Sequence, residues 1–368
     1  MAVDTLVGAG TGGYDTDGHV NESVLQTIFD LSKRPLEFQD MIGRGTHGRE
    51  KHEWTMRRLA KGSHNNARVD GSDPTADDNK IGVRVSNHSQ ICAKTVKVSD
   101  RVRASDAVGV GDELRRQVTD RAWEMRYDME SSMLSNNASV ADDGSSTAGK
   151  SAGLVAWAKA EDVDGTASLH FINIGTGGSY ADGGFNTSTQ VVDKTTFATT
   201  NTALAQSDID DVIEVAWGLN ATPSVAFCGG AVMRRFSDFM FTSSAKISTL
   251  VNQGSDSDME RVAQGSVNVY QTNYGTRLQF VASPHMPTAA GAAGQDMTDG
   301  TTDTDVLLFI KPDMFELSTL MSFRTETHAK TGMATEMEHK VDWTLVVKNH
   351  EALQGIVGID SSAAMTAT

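Results

Sequence analysis

The sequence predicts an α+β fold with one long helix and mixed β-sheets. Across residues 112–134, apolar residues recur every three or four positions, which is the period of an amphipathic helix. Strand-like runs precede and follow this helix, and two shorter helical segments lie among them in residues 206–300. Strands and helices that follow one another without a regular βαβα alternation are typical of the α+β class.

Residues 1–48 are predicted to form an N-terminal arm. Within the arm, Asn21 can cap a short helix that ends before Pro35. One side of this helix is apolar and carries Val24, Leu25, Ile28 and Phe29. We expect a polar, turn-prone beginning followed by one amphipathic segment.

The arm also contains a glycine pattern found in nucleotide sites. "VGAGTGGY" places Gly8, Gly10 and Gly13 at the spacing of a dinucleotide-binding fingerprint, and Asp30 follows about twenty residues later. That fingerprint requires a strand before it and a helix after it, but the polar segment "YDTDGHVN" follows here. We therefore interpret these glycines as part of a flexible arm.

Residues 49–100 are predicted to form an extended hairpin. "HEWTMRRLA" and "NHSQICAKTVKVS" have the pattern of strands, and the polar segment "KGSHNNARVDGSDPTADDNK" joins them. In the second strand Cys92, Val96 and Val98 share one face, and Lys94 interrupts the alternation. Two strands with so little apolar content cannot hold a core of their own. The hairpin is expected to project and to pack against something else.

The long helix carries one main apolar stripe. The stripe consists of Leu114, Val118, Ala122, Met125, Met129 and Met133, and Trp123, Tyr127 and Leu134 add a second one. Pairs four residues apart can form ion pairs, namely Asp112 with Arg116, Arg116 with Asp120, and Arg126 with Glu130. The stripe fits an ordinary core helix as well as a strut, and the unusual length favours the strut.

The remaining elements alternate between strands and helices. "GLVAWAKA" is an apolar segment, and the Gly/Thr/Ser-rich residues 161–202 are a long insertion whose strand is "SLHFINI". A helix opens at Ser207, and a buried strand "SVAFCGG", a helix over residues 231–241 and a hairpin turning at Asn273-Tyr274-Gly275 follow. The last predicted strands span residues 306–310, 315–327 and 339–348.

Composition and charge limit the function classes. The chain has 39% apolar residues, which is ordinary for a globular protein. Its net charge of −16 argues against a protein that binds nucleic acid by neutralising phosphates. The absence of an apolar run of eighteen residues and of a secretion signal predicts a soluble intracellular chain that does not enter a membrane. Cys92 and Cys228 are too few for a disulfide framework or a Cys-based zinc site.

Charge is distributed unevenly along the chain. Residues 44–68 contain seven basic and two acidic residues, whereas residues 142–214 contain eleven acids and three lysines. Separate basic and acidic surfaces can be complementary between copies of one chain. Two independently solvated faces would have the same composition, and both interpretations remain open.

No catalytic constellation is predicted. "DDGSSTAGKSAG" completes a phosphate-loop pattern with Gly144, Gly149, Lys150 and Ser151, but no buried strand precedes it, so a P-loop NTPase using residues 144–151 is a distant alternative. The histidines do not cluster, and no H-E-x-x-H, C-x-x-C or G-x-S-x-G motif occurs. We expect no enzyme, no cofactor and no metal.

The order of parts resembles the major capsid proteins of tailed bacteriophages with the Hong Kong 97-like fold, in a podovirus-associated branch. The likeness is carried by "HEWTMRRLA", "NHSQICAKTVKVSD", "DELRRQVTDRAWEMRYDMESSML", "GLVAWA" and "FRTETHAKTGMATEMEHKVDWTLVVKNHEALQGI", in collinear order over residues 28–359. The resemblance implies an N-terminal arm (1–48), an extended loop (49–100), a peripheral domain (101–205, with a spine helix at 112–134 and an insertion near 161–202), an axial domain (206–300) and a return to the peripheral domain (301–368).

The resemblance also implies partners and a location. Copies of the chain would form hexamers and pentamers of an icosahedral shell around double-stranded DNA, assembled as a procapsid in the bacterial cytoplasm and retained in the virion. A separate scaffolding protein, a portal protein and a decoration protein are the expected protein partners, and packaged DNA would be contacted without sequence specificity. An encapsulin-like cellular shell protein is the alternative.

Candidate inter-subunit residues lie on the extended hairpin. They are Trp54, Arg57, Arg58, Arg68 and Arg84. Replacing Trp54, Arg57 and Arg58 with Ala or Glu is expected to give soluble protein that does not form shells. The arginines could equally belong to a solvated surface.

Overall fold

The chain folds into two main β-sheets, connected by one long helix and several loops. The computed structural model describes residues 33–57, 63–73, 82–105, 111–159, 171–175, 184–194, 200–219, 221–242, 268–286, 305–330 and 332–366. In these ranges the α-helices are α1 (Glu37–Met41), α2 (Asp100–Ala104), α3 (Glu113–Leu134), α4 (Gln206–Gly218) and α5 (Gly230–Thr242), and short 3-10 helices span Leu154–Lys159, Pro312–Met314 and His350–Ala352. The strands are β1 (Gly43–Thr46), β2 (Lys51–Met56), β3 (Val83–His88), β4 (Gln90–Ser99), β5 (Phe171–Asn173), β6 (Gly184–Asn186), β7 (Val191–Asp193), β8 (Val225–Cys228), β9 (Val269–Gln271), β10 (Arg277–Ala282), β11 (Asp305–Ile310), β12 (Phe315–Thr327), β13 (Ala334–Val347) and β14 (Leu353–Ile359).

The long helix is confirmed as α3, 22 residues in length. Its Asp112 side chain accepts the N–H of Leu114 at 3.1 Å, which satisfies one of the free donors at the helix start. Leu114, Met125, Met129 and Met133 of the predicted stripe are buried. The helix is therefore both a strut about 33 Å long and a core helix along its apolar face.

One sheet has four strands in the order β1-β12-β13-β4, and α3 lies against it. Lys94 of β4, the residue that interrupts the predicted alternation, forms an ion pair with Asp128 of α3 at 2.7 Å. His339 of β13 lies 2.9 Å from the backbone carbonyl oxygen of Val118. Both edge strands, β1 and β4, come from the first hundred residues, whereas the two central strands come from the last fifty-four.

The other sheet has six strands in the order β5-β14-β11-β8-β10-β9, and both of its faces are covered. Ala226 and Leu307 point into the cluster that α4 and α5 form, and Phe227 and Leu308 point into the cluster that contains the end of α3. Every residue of β11 is buried, which explains its continuous apolar pattern. The sheet contains strands from both sides of residue 300, where the boundary of the axial domain was predicted. Strand β8, before this boundary, pairs with β11, after it, and β11 pairs in turn with β14.

The predicted hairpin has a different return strand. Strand β2 pairs with β3, from Lys51 opposite His88 to Met56 opposite Val83, and not with residues 90–99. Those residues form β4 and pair with β13 in the four-stranded sheet. The chain changes sheet at Ser89, whose N–H donates to the carbonyl oxygen of Glu50 at 2.8 Å. Local alternation does not encode such a change of partner, because both strands satisfy the same pattern.

The insertion contributes to the core. Its predicted strand appears as β5 at the edge of the six-stranded sheet, and β6 and β7 form a small hairpin. Phe185 and Val192 of that hairpin are buried in the main core cluster. The carbonyl oxygen of Gln190 accepts the hydroxyl of Ser86 at 2.6 Å, so the insertion also supports the β2–β3 hairpin. The predicted helix over residues 22–33, its Asn21 cap and the glycines before it lie outside the described residues, apart from Lys33, which is not helical.

Candidate inter-subunit surfaces

A row of aromatic rings fixes the base of the β2–β3 hairpin. Successive ring centroids are separated by 5.1 Å from His47 to His52, 5.7 Å from His52 to Trp54, 6.2 Å from Trp54 to Trp157 and 5.9 Å from Trp157 to Phe185. Pairs at such distances contribute beyond the area they bury. Burial lowers the pKa of His47 to about 4, so this end of the row is uncharged at neutral pH. The hairpin thus leaves the core from a rigid base.

A buried polar cluster holds the same base to β13. The side-chain oxygen of Asn87 accepts the N–H of Ala152 at 2.9 Å, and its amide nitrogen donates to the carbonyl oxygen of Leu345 at 2.8 Å. The hydroxyl of Ser151 accepts the N–H of Leu345 at 3.1 Å. Asn87 and Ser151 are each almost completely buried. These side chains link three segments far apart in sequence, so the hairpin cannot move at its base without leaving buried groups unpaired.

The predicted contact residues divide between the base and the surface of the hairpin. Trp54 is partly buried and packs against the chain's own core, and its contact with a neighbouring copy stays a prediction. Arg57, Arg68 and Arg84 are exposed, and Arg84 forms a surface ion pair with Glu53 at 3.4 Å. Arg58 lies outside the described residues. Arg57 directly follows β2, and Arg84 lies opposite Thr55 in the β2–β3 pairing, so both exposed arginines belong to the same end of the hairpin strands.

The segment with the phosphate-loop pattern has another structure. The carboxylate of Asp143 accepts the N–H groups of Thr147, Ser145 and Ser146, and these hydrogen bonds hold its pKa well below the usual range. Lys150 forms an antiparallel bridge with Val140, and Ser151 is buried. The N–H groups that would cradle a phosphate are bound by this chain's own acid. The described segment therefore lacks the strand–loop–helix geometry on which the P-loop alternative depends.

Glu130 lies at the junction between α3 and the end of the arm. It is completely buried, and its two carboxyl oxygens accept the N–H groups of Phe38 and Gln39 at 2.8 and 3.0 Å. The predicted ion pair with Arg126 is wrong, because Arg126 turns towards solvent and pairs with Asp40 at 3.4 Å. Burial raises the pKa of Glu130 to about 7. Of the other predicted pairs, Arg116 binds Asp120 at 3.1 Å.

Two other kinds of feature are absent from the described ranges. Among those residues, no group of three or more His, Cys, Asp or Glu side chains is arranged to hold a metal ion. None of the helices described above is both long and apolar enough to cross a membrane.

The model of the SU10 major capsid protein family matches residues 9–360. The chain belongs to this family. The major capsid protein of Escherichia phage Phieco32 is 33% identical over 125 residues, a match that covers 34% of this chain and 35% of that relative. The chain thus aligns with about a third of the length of this curated relative.

Solved structures show the fold of this SU10-family member. The capsid structure of cyanophage P-SCSP1u superposes with a TM-score of 0.56 at 12% identity, and covers 98% of this chain and 96% of that one. An encapsulin of Synechococcus elongatus superposes with a TM-score of 0.53 at 11% identity, with 94% of each chain covered. The fold is therefore Hong Kong 97-like, as the resemblance implied. Phage and encapsulin shells share it, whereas the family assigns the chain to phage major capsid proteins.

Sequence reasoning missed several residues that build these surfaces in the SU10-family chain. Asn87 appears in the sequence as one polar residue in a strand, and Glu130 appears as half of a surface ion pair. Trp157 and Phe185 lie 28 positions apart, and no local pattern relates them. Of these four residues, only Glu130 has a local sequence pattern that indicates burial, because it lies between Met129 and Met133 of the apolar stripe.

The stability of this SU10-family subunit should depend on the protonation of Glu130. Because the folded pKa of about 7 lies above the value of 4.5 for an exposed glutamate, the stabilisation is complete below pH 4.5 and is lost as the pH rises through 7. The loss amounts to at most about 3 kcal/mol. We expect wild-type stability relative to Glu130→Gln to fall between pH 5 and pH 8, as measured by urea unfolding of unassembled subunits.

Glu113→Gln on the same helix is the control. The Arg116 side chain lowers the pKa of Glu113 by hydrogen bonding, so stability from Glu113 is lost as the pH falls. A relative stability of Glu130→Gln that does not change between pH 5 and pH 8 would contradict the prediction.

Proposed function

We propose that copies of this chain form the icosahedral shell that encloses the double-stranded DNA of a tailed bacteriophage. Membership of the SU10 major capsid protein family is the observation that carries the proposal. The β2–β3 hairpin supports it, because residues 63–73 between its strands are all exposed. Such a projection gains buried area only from a neighbouring subunit. Hexamers and pentamers are the closed rings in which these contacts repeat.

Charge supports a contact between the hairpin of one copy and an acidic face of another. Arg57 and Arg84 are exposed on the hairpin, and Asp211 and Glu214 are exposed on α4. Opposite potentials steer association and suppress wrong pairings. In the proposed shell the arginines carry the contact, and Trp54 packs on Trp157 to hold the hairpin in position.

The remaining partners are proposals of the same kind. They are a separate scaffolding protein during procapsid assembly in the bacterial cytoplasm, a portal protein at one vertex, and a decoration protein. Packaged DNA would meet a shell with a net charge of −16 per subunit, which favours weak, non-specific contact. A cellular shell of the encapsulin type is the second candidate, since an encapsulin shares the fold.

Assembly of a charge-reversed hairpin tests the proposal. We expect Arg57→Glu with Arg84→Glu to give folded subunits whose shell yield falls at least tenfold, because the two added acids repel an acidic partner surface. Shell yield is measured by sedimentation and electron microscopy of the protein expressed with its scaffolding protein. Arg57→Lys with Arg84→Lys is the matched control, because it keeps the charge at both positions.

The outcomes separate the candidates. Normal shells from the Glu variant would overturn the hairpin contact, and wild-type subunits that never form shells would overturn the shell function. Shells of the wild-type protein that take up a phage genome through a portal support the phage function. Shells that instead enclose a protein cargo support the encapsulin alternative.

A further inference from the structure

An apolar groove lies between α3 and the four-stranded sheet. It encloses about 530 Å³, and its wall includes Ala122, Met129, Leu317 and Val341. Phe323 stands at its opening with 49% of its surface exposed. Met129, Leu317 and Val341 are themselves buried, so the groove has an apolar wall and Phe323 is the exposed apolar side chain beside it that another segment would cover.

The chain enters the described structure at the rim of this groove. Lys33 lies over the ring of Trp123, with its amino group 5.9 Å from the ring centroid. A second cavity of about 380 Å³ is lined by residues 34–37 together with Trp123 and Arg126, and both Trp123 and Arg126 also line the groove. The segment before Lys33 therefore starts next to the apolar wall.

The segment before Lys33 has the pattern that fits this wall. Between Asn21 and residue 32, one side carries Val24, Leu25, Ile28 and Phe29. A helix of twelve residues is about 18 Å long, and the groove follows α3 from Thr119 to Met129, about 15 Å. The lengths match to within one turn.

Charge complements the apolar match. Arg44 and Arg126 line the groove, and Arg126 also pairs with Asp40 at 3.4 Å. The arm segment carries Glu22 at the edge of its apolar side and Asp30 on the opposite side. A helix laid into the groove by its apolar side would therefore turn the carboxylate of Glu22, but not that of Asp30, towards the wall that carries the arginines.

We propose that residues 21–32 form a helix that docks in the groove of their own subunit, with Ile28 and Phe29 against α3 and β12. The short connection through Lys33 favours the subunit's own arm over that of a second copy, because the local concentration of a tethered segment is high. The proposal concerns one subunit, so it is independent of shell formation.

Disulfide trapping in the full-length chain tests the docking. Ile28→Cys is combined with Ser322→Cys, since Ser322 lines the groove and is exposed. Cys92 and Cys228 remain in place, because burial raises the pKa of both thiols and keeps them unreactive. Under mild oxidation we expect at least half of the chains to form the link within one chain, identified by non-reducing electrophoresis and by mass spectrometry of the linked peptides.

Thr27→Cys with Ser322→Cys is the control, since Thr27 lies on the opposite side of the predicted helix. We expect at least fivefold less link there. Equal disulfide yields from the cysteines at positions 27 and 28 would overturn the proposal that the helix docks through its apolar side. Links formed mainly between two chains would overturn the choice of occupant and assign the groove to a second copy.

A second measurement does not depend on new cysteines. Ile28→Glu with Phe29→Glu is expected to raise the amide hydrogen exchange rate of residues 119–129 at least threefold, because the groove loses its cover. Ser23→Glu with Thr27→Glu adds the same charge on the other side of the helix and should leave the rate unchanged. Equal rates in the two variants would contradict the proposal.

Discussion

Trp157→Ala is expected to destabilise the subunit by about 3–5 kcal/mol, the usual cost of removing a fully buried tryptophan. Trp157 is completely buried, and its ring lies between those of Trp54 and Phe185. The substitution therefore opens a cavity and also removes the support of the hairpin base. Urea unfolding of unassembled subunits measures the change in the free energy of unfolding.

Trp217→Ala is the matched control, because 61% of Trp217 is exposed at the end of α4. Its expected effect is below about 1 kcal/mol. Hydrogen exchange at residues 51–56 and 83–88 provides a second readout for Trp157→Ala, and it should rise even where the rest of the subunit stays folded. Equal unfolding free energies for the two alanine variants would show that the aromatic row does not hold the hairpin.

Asn87→Ala is expected to destabilise the subunit by about 2–4 kcal/mol, since it leaves two buried backbone groups without partners. These groups are the N–H of Ala152 and the carbonyl oxygen of Leu345, and both now bind the Asn87 side chain. Because these two groups belong to different segments that hold the hairpin base, loss of their hydrogen bonds to Asn87 should reduce both the stability of the subunit and the yield of shells.

Asn65→Ala provides the comparison for Asn87→Ala, because Asn65 is exposed on the segment between β2 and β3. It removes the same amide group and should change the free energy of unfolding by less than about 0.5 kcal/mol. A loss below 1 kcal/mol in Asn87→Ala would mean that water or a shifted side chain replaces its hydrogen bonds.

Elements with a strong local period could be predicted from the sequence. The stripe from Leu114 to Met133 gave the position of α3 to within one residue, and the turn at Asn273-Tyr274-Gly275 gave β9 and β10. The predicted strand from Phe315 to Thr327 is also confirmed, as β12. In each case the residues that decide the element lie within about twenty positions of one another, so a local pattern contains the answer.

Pairing between distant segments could not be predicted. Nothing near Gly43 indicates that β1 runs parallel to β12, and nothing in "NHSQICAKTVKVS" separates β3 from β4. Among the candidate contact residues, Arg57, Arg68 and Arg84 are exposed, which agrees with the predicted surface role. Trp54 instead turns inward because its ring packs on that of Trp157, which lies about a hundred residues away in sequence. Tertiary packing decides which face of such a strand is covered.

The pairing of β4 with β13 affects how the chain emerges during translation. Gln90 lies opposite Trp343, so the ribosome must add about 250 residues before the partner strand exists. At roughly 5–20 residues per second, β4 waits on the order of 13–50 s with its backbone edge uncovered. An unpaired edge strand is a template for aggregation. Recombinant yield should therefore rise with chaperones or lower temperature, conditions that protect a nascent chain in this interval.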